Sequence, residues 1–235
     1  MLNSQLKELA NKIRDRSLRK KTIALLEDPT FEANGKKYPG IPLDVSPAGR
    51  SHHHCYPGGY IEHVVSALNI ALAMCDSVEK VYHGKANPDL VVAGILLHDI
   101  FKPATYSVNK DGTYGQTPLA ESLDHLSIAT AELVRRGFPL KLVHIVSAHH
   151  GEYGPIRPRT LEALICHLAD LTDSRLNGEV LSAAAYLTRR VAGQEFPGMT
   201  SKEAFEIVHS KSVEGWEGVS KTIEKLRRKR KTHKP

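Results

Sequence analysis

Leu90 to Leu97 (LVVAGILL) is apolar on every side and runs straight into the pair His98-Asp99. A helix without a polar face has to be surrounded by other elements, so this segment is expected at the centre of the fold. Asn87-Pro88 opens it, with Asn87 as N-cap and Pro88 at the first helical position. Its other end is chemically odd: an imidazole beside a carboxylate, with Lys102 three residues after the Asp. Apolar surroundings penalise a charge unless an opposite charge compensates it, and a divalent cation does that well.

Helical spacing continues on both sides of this segment. Residues 3–27 carry Leu6, Leu9, Ile13, Leu18, Ile23, Leu25 and Leu26 at roughly helical intervals, with a break expected near Ser17 and an end at Asp28-Pro29. Phe31 to Gly59 is rich in Gly and Pro and reads as an ordered loop. Tyr60 to Tyr82 reads as a helix with Val64, Leu68, Ala71, Leu72 and Cys75 along one stripe and His63 at its N-terminal edge. Tyr106 to Tyr114 (YSVNKDGTY) reads as a small hairpin around a Lys-Asp-Gly turn. A helix is expected from Pro118, its inner face Leu126, Ile128, Ala129 and Leu133, with His125 one turn before Ala129. The helix begun by Phe138-Pro139 leads in phase to His149, followed by His150-Gly151. Thr160 can cap a helix through Leu164, Leu168 and Leu171, with Asp170 close to that face, and two more helices are expected near 178–191 and 201–209. There is no internal repeat and no second hydrophobic pattern that marks a further domain.

The size of 235 residues, 41% hydrophobic and 25% charged, is that of a globular chain able to bury a core. No uninterrupted apolar run approaches the roughly 20 residues of a membrane span, so no membrane partner is expected. Cys55, Cys75 and Cys166 are odd in number and lack CxxC spacing, which fits reduced thiols. With an N-terminus that has no apolar signal core, this gives a cytoplasmic expectation. Residues 1–21 carry a balance of +5 and residues 221–235 of +7, leaving −6 for the middle. Such basic ends either contact phosphates of a nucleic acid or serve as solubilising tails.

His63, His98, Asp99, His125, His149 and Asp170 each fall at a helix end or on an apolar face, on five separate helices. Divalent metals of hard and borderline type take imidazole nitrogen and carboxylate oxygen, and helical bundles build such sites from inward positions on several helices. Singly, each residue has a plain alternative: a satisfied core histidine, a cap or a salt bridge. Six together point to one site.

The order His63, His98-Asp99, His125, His149-His150, Asp170 resembles the HD superfamily of metal-dependent phosphohydrolases. Ser46-Pro47-Ala48 followed by HHCYPGGYIEH, and HHGEYGPIRPRTLEALICHLAD from His149 to Asp170, resemble the catalytic domain of YhaM-type 3'-to-5' exoribonucleases. The likeness covers about residues 46–175. It implies an all-α HD-domain helical bundle with a small β-hairpin insertion and extra terminal helices. Residues 1–45 are then a helix and loop packing on the core, 46–210 the phosphohydrolase domain and 211–235 a basic C-terminal helix or tail.

The resemblance further implies one or two divalent ions, with Mn, Fe, Ni, Co, Zn and Mg not distinguished. His63, His98, Asp99 and Asp170 would hold the first, and Asp99 would bridge to a second at His125 and His149, with His150 a ligand or a substrate contact. Two ions about 3.5–4 Å apart would activate water for attack on phosphorus, with Asp99 and Lys102 as the catalytic pair. Lys102 would meet a phosphate oxygen or the activated water, unless it is simply solvated. His54 is a candidate substrate contact, and Arg157 and Arg159 could grip a phosphate or be ordinary loop charges. His167, one turn before Asp170, either orients that carboxylate or packs in the core.

Two departures weigh on RNA as the substrate more than on hydrolysis. Residues 1–45 are too short and helical for the OB-type module of the exoribonucleases, and Phe101 stands where many relatives carry glycine. The expected partner is therefore a phosphorylated substrate, nucleotide or RNA. The expected reaction is metal-dependent hydrolysis at a nucleotide or a nucleic-acid 3' end. A small-nucleotide phosphatase or cyclic phosphodiesterase, or a regulatory HD module without turnover, are the alternatives. Substrate identity and oligomeric state are not legible at this level.

Overall fold

The computed structural model describes residues 3–232. In order it contains α1 (Ser4–Ala10), α2 (Arg16–Glu27), β1 (Phe31–Ala33), β2 (Lys36–Tyr38), α3 (Gly59–Tyr82), α4 (Pro88–Leu97), α5 (Lys102–Thr105), β3 (Tyr106–Val108) and β4 (Tyr114–Gln116). The chain continues through α6 (Pro118–Ser122), α7 (His125–Arg135), α8 (Leu140–Ser147), a 3-10 turn at Gly151–Tyr153, α9 (Leu161–Ala192) and α10 (Ser201–Thr232). The expected all-α bundle is what forms; its strands among the described residues make two antiparallel hairpins, β1–β2 and β3–β4.

The centre is α4. Every residue from Leu90 to Leu97 is buried, and α1, α2, α3, α8 and α9 pack around the helix. Asn87 Oδ1 accepts the Asp89 and Leu90 amides, satisfying two of the N–H groups that a helix start leaves unpaired. Gly94 lets α4 approach its neighbours. A Cβ there would lie 2.6 Å from Ile145 Cγ2 and 3.0 Å from Cys166 Sγ, so α4, α8 and α9 meet closest just before the His98-Asp99 pair.

Several boundaries differ from the sequence reading. The first helical stretch breaks at residues 11–15, ahead of Ser17, because Asp15 caps α2 through the Leu18 amide. Asp89 also accepts the Arg14 and Asp15 amides at 3.0 and 2.8 Å, pinning this turn to the start of α4. The loop expected from Phe31 contains β1–β2, turned by Asn34 and Gly35, both at positive φ. The helix expected from Pro118 is interrupted at Leu123-Asp124, where Asp124 caps α7 through the Ser127 amide at 2.7 Å.

The two helices expected at 160–171 and 178–191 are one, the 32-residue α9. Its C-terminal half packs on α10 around a second cluster that includes Ala184, Leu187, Ile207, Val219, Ile223 and Leu226. The sequence reading had found no separate hydrophobic pattern there. The boundary drawn between 210 and 211 falls inside α10, which kinks at Gly215 and carries the described basic residues through Arg230. Residues 233–235 of that basic tail lie outside the described residues. The N-terminal segment does pack on the core, through Leu6, Ile13, Leu18 and Leu25. One helix, α3, is long and apolar enough to cross a membrane by length and composition; here its Val64, Leu68 and Ala71 face the core.

Candidate metal centre

Five elements deliver side chains to one point beyond the end of α4. His63 lies in the second turn of α3, His98 and Asp99 follow the last residue of α4, and His125 begins α7. His149 sits just past α8, and Asp170 in the third turn of α9. His63 Nε2 is 3.0 Å from His98 Nε2 and 3.3 Å from Asp170 Oδ1. Asp99 stands between two groups. Its Oδ2 lies 3.6 Å from His63 Nε2 and 3.4 Å from His98 Nε2, while its Oδ1 lies 3.4 Å from both His125 Nε2 and His149 Nε2. His150 joins the second group, its ring 4.3 Å from that of His149 and 5.0 Å from that of His125.

The hydrogen-bond pattern fixes which nitrogens face inward. His98 Nδ1 donates to Ile95 O and His149 Nδ1 to Val146 O, each at 2.7 Å, and His63 Nδ1 donates to Asp173 Oδ2 at 2.7 Å. With the hydrogens on Nδ1, all three Nε2 atoms turn lone pairs to the common point. Two imidazole nitrogens 3.0 Å apart with lone pairs facing each other repel unless something positive lies between them. Asp99 Oδ1, His125 Nε2 and His149 Nε2 are fully buried and have no hydrogen-bond partner within the protein. Buried polar atoms are normally satisfied; here orphaned acceptors of the N and O type surround one place, and a divalent cation fits them.

The electrostatics differ between the two groups. Burial alone would lower His63 and His98, but Asp170, Asp173 and Asp99 raise His63 well above its usual value and Asp99 with Asp170 raises His98 to about 9, so a cation entering there displaces protons. Burial alone would raise the Asp99 carboxyl, but Lys102 and His98 hold it well below the usual carboxylate range. Burial pushes His125 well below its usual value, and burial with neighbouring His149 lowers His150 to about 4. These imidazoles are therefore neutral, the form that binds metal. Lys102 is not solvated: its Nζ is 2.6 Å from Asp99 Oδ2.

The other expected contacts divide. His54 is 3% exposed, holds a left-handed backbone (φ 45°) and is locked by its amide on Asn177 Oδ1 at 2.8 Å. Its neighbour His53 is half-buried and so the more accessible of the two; both rings lie 5.4 Å from that of His63. Arg157 and Arg159 are exposed in the loop before α9. The Arg159 amide is tied to His144 Nε2 at 3.0 Å, and no interaction among the described residues links either guanidinium to the His/Asp cluster. His167 does not hold Asp170. Its Nδ1 donates to the His149 backbone carbonyl at 2.7 Å, and its ring fills the space that a Cβ on Gly151 (φ 60°) would need. Sequence reasoning missed Asp173 and Tyr60, and of the neighbours His53 and His54 it favoured His54. Tyr60, one turn before His63, is fully buried with an unpartnered hydroxyl that burial and the Asp99 carboxylate keep protonated.

Comparison with known proteins adds to this geometry. The HD domain family matches residues 60–175, the span that runs from the start of α3 to just past Asp170. A dihydroneopterin 2',3'-cyclic phosphate phosphodiesterase of Methanocaldococcus jannaschii is 40% identical over 223 residues, covering 94% of this chain and 87% of that protein. The 3'-5' exoribonucleases YhaM of Bacillus velezensis and Listeria monocytogenes are 34% and 35% identical. Each of those matches covers 60% of this chain and 46% of the exoribonuclease. No solved structure matches the chain. With its His/Asp cluster assembled in the family's order, the chain belongs to the HD-domain family and is a metal-dependent phosphohydrolase.

Proposed function

We propose that this chain is a phosphodiesterase that opens a five-membered 2',3'-cyclic phosphate on a small molecule, leaving a phosphomonoester. Water adds to phosphorus, one of the two ester P–O bonds breaks, and the released ribose-type oxygen takes up a proton. The observation that carries the reading is the reach of the similarity. The cyclic phosphodiesterase aligns along 94% of the chain, so along both helical ends, whereas the exoribonucleases align with 60% of it. The sequence expectation of a nucleotide or a nucleic-acid 3' end thus gives way to its cyclic phosphodiesterase alternative, with RNA the second choice.

In this reading His63, His98, Asp99 and Asp170 would hold one ion, and Asp99, His125 and His149 a second, with His150 beside it. Such a donor set takes Mn, Fe, Co, Ni or Zn readily. Bound divalent ions supply Lewis acidity that makes water a nucleophile near neutral pH and offsets charge on the departing oxygen. The chain's own residues do the rest. Asp99 fixes the spacing of the two halves. Lys102, held beside Asp99, and His53, the more accessible of the paired histidines, are the donors that would meet the phosphate oxygens. The buried walls of α4 exclude bulk water from behind.

The test is an assay of protein purified without chelator and analysed for metal. It is offered 2',3'-cyclic phosphates of dihydroneopterin and of nucleosides alongside short RNAs. The expected result is metal-dependent ring opening that chelation removes and that Asp99→Ala abolishes. Shortening of RNA from its 3' end with the cyclic phosphates untouched would replace this reading with the exoribonuclease one.

A further inference from the structure

His63 is the one histidine of the cluster whose outer nitrogen is held by a carboxylate rather than by its own helix. Asp173 Oδ2 accepts His63 Nδ1–H at 2.7 Å, and the carboxylate is itself buried, with its side chain 4% exposed. It lies one helical turn after Asp170 on α9, so a single helix places both a ligand carboxylate on Nε2 and a partner carboxylate on Nδ1 of the same ring. From this geometry we propose that Asp173 is a positioning residue for the metal centre: it fixes the tautomer and orientation of His63 and strengthens it as a donor. The proposal rests on the metal-dependent reading above but not on its substrate. A buried carboxylate on the far nitrogen makes an imidazole a better ligand and stops the ring from turning, and losing such a partner weakens metal binding by roughly 10–100-fold.

The surroundings show a purpose-built seat for this carboxylate. His54 Nε2 lies 3.7 Å from the same Asp173 oxygen. Burial takes His54 down to about 3, so it faces the carboxylate as a neutral ring and does not neutralise it. One turn beyond Asp173, Asn177 Oδ1 accepts the His54 amide at 2.8 Å, and Asn177 Nδ2 donates to Ser201 Oγ at 2.5 Å, at the start of α10. Ser201 also meets the Tyr56 hydroxyl, which donates to Glu62 at 2.7 Å, the residue preceding His63. The path returns to its starting point: His63, Asp173, His54, Asn177, Ser201, Tyr56 and Glu62, the last adjoining His63 in the chain. It binds α3, α9, α10 and the loop through His54 around one imidazole. Only the Asp173 link touches the ligand; the others hold the wall.

The experiment is titration of the metal-free protein with Co(II) against a chromophoric chelator, with thermal melting of the same metal-free samples. Wild type, Asp173→Ala, Asp173→Asn, Asp173→Glu and Asn177→Ala are compared. The expected result is a Co(II) affinity lowered 10–100-fold in Asp173→Ala. Asp173→Asn, which keeps an acceptor without the charge, should fall less, and Asp173→Glu should recover part of the loss. Asn177→Ala should melt lower yet bind Co(II) within about 3-fold of wild type, as expected of a wall residue. If Asp173→Ala does not fold, the reading passes to the Asn variant, which must still bind more weakly than wild type. Unchanged affinity in the Asp173 variants, or an equal loss in Asn177→Ala, overturns the proposal while leaving the metal centre standing. A wild-type chain that binds no Co(II) overturns both, and failure to cleave cyclic phosphates touches neither.

Discussion

At the scale of single residues, His53 and His54 separate function from structure most sharply. They are adjacent, their Nδ1 atoms are 3.3 Å apart and both are kept neutral by burial. Yet His53 is half-buried beside the His/Asp cluster while His54 is only 3% exposed. His53→Ala should therefore lower kcat/KM by on the order of 10², the usual loss for one donor to a charged reacting group, with little change in melting temperature. His54→Ala should do the reverse in the main, leaving a cavity that costs about 2–4 kcal/mol. Steady-state kinetics with thermal melts on both variants check this, and a large stability loss in His53→Ala would contradict it. Nothing in a run of three histidines says which one faces inward. The choice depends on the left-handed turn at His54, which is a property of the folded loop. The six His and Asp positions that do converge were legible because each fell at a helix end or on an apolar face. Asp173 lies inside α9, and a second acid three residues after Asp170 reads as ordinary helix polarity until His63 is seen against it.

At the scale of elements, the packing of α4 sets the position of His98 and Asp99. Gly94 is where α8 and α9 press closest, and an added methyl would meet Ile145 and Cys166. Gly94→Ala gains helix propensity of about 1 kcal/mol but overpacks a closed core at a cost of about 1–3 kcal/mol. The net expectation is a lower melting temperature, and weaker Co(II) binding because the strain falls one turn before His98. A stabilised Gly94→Ala would refute the close approach. A second element-level device is Glu132 on α7, buried and bonded by Arg135 at 2.8 and 2.7 Å and Arg136 at 2.8 Å; Arg136 in turn reaches Thr30 O. Burial alone would raise the Glu132 carboxyl, but the two guanidinium groups hold it below the usual 4.5. A carboxyl lowered on folding stabilises fully above about pH 4.5 and loses that contribution as pH falls through its folded value. Glu132→Gln should thus melt lower than wild type at pH 7, with the gap closing below pH 4.5; a gap that is constant from pH 7 to 3.5 would show that the charge plays no part. The sequence pattern gave α3, α4 and α8 nearly to the residue, since each has an unbroken apolar stripe. It split α9 in two because Asp173, Asn177 and Gly178 interrupt the hydrophobic period, and Asp173 and Asn177 are spent on the wall of the site. The Asn34-Gly35 turn was readable as a hairpin signal, but strands of three residues are too short for alternation to register.

At the scale of the whole molecule, the charge distribution decides between the two substrate classes. The basic excess lies at the two ends and the body between them is net acidic. Part of that excess is already engaged. Lys21 is bonded to the Gly137 carbonyl, Arg19 to Ile13 O, Lys225 to Glu206, and Arg230 to Glu203 and the turn at Pro197 and Gly198. These cations fasten α2 and α10 to their neighbours. A nucleic acid bound by several free cations releases counterions, and its affinity falls by about 10³–10⁵ between 50 and 200 mM salt when six to ten phosphates are neutralised. A small cyclic phosphate carries one negative charge and, on the proposed reading, would meet Lys102 and His53 beside the buried His/Asp cluster, where screening is weak. Turnover of the cyclic phosphate at subsaturating concentration should therefore change by less than about 3-fold over that salt range. Any RNA turnover, depending on the cations of the two ends, should be low and steeply salt-sensitive. A steep salt dependence for the cyclic phosphate, or RNA cleavage that survives 200 mM salt undiminished, would mean that the basic ends and not the cleft select the substrate.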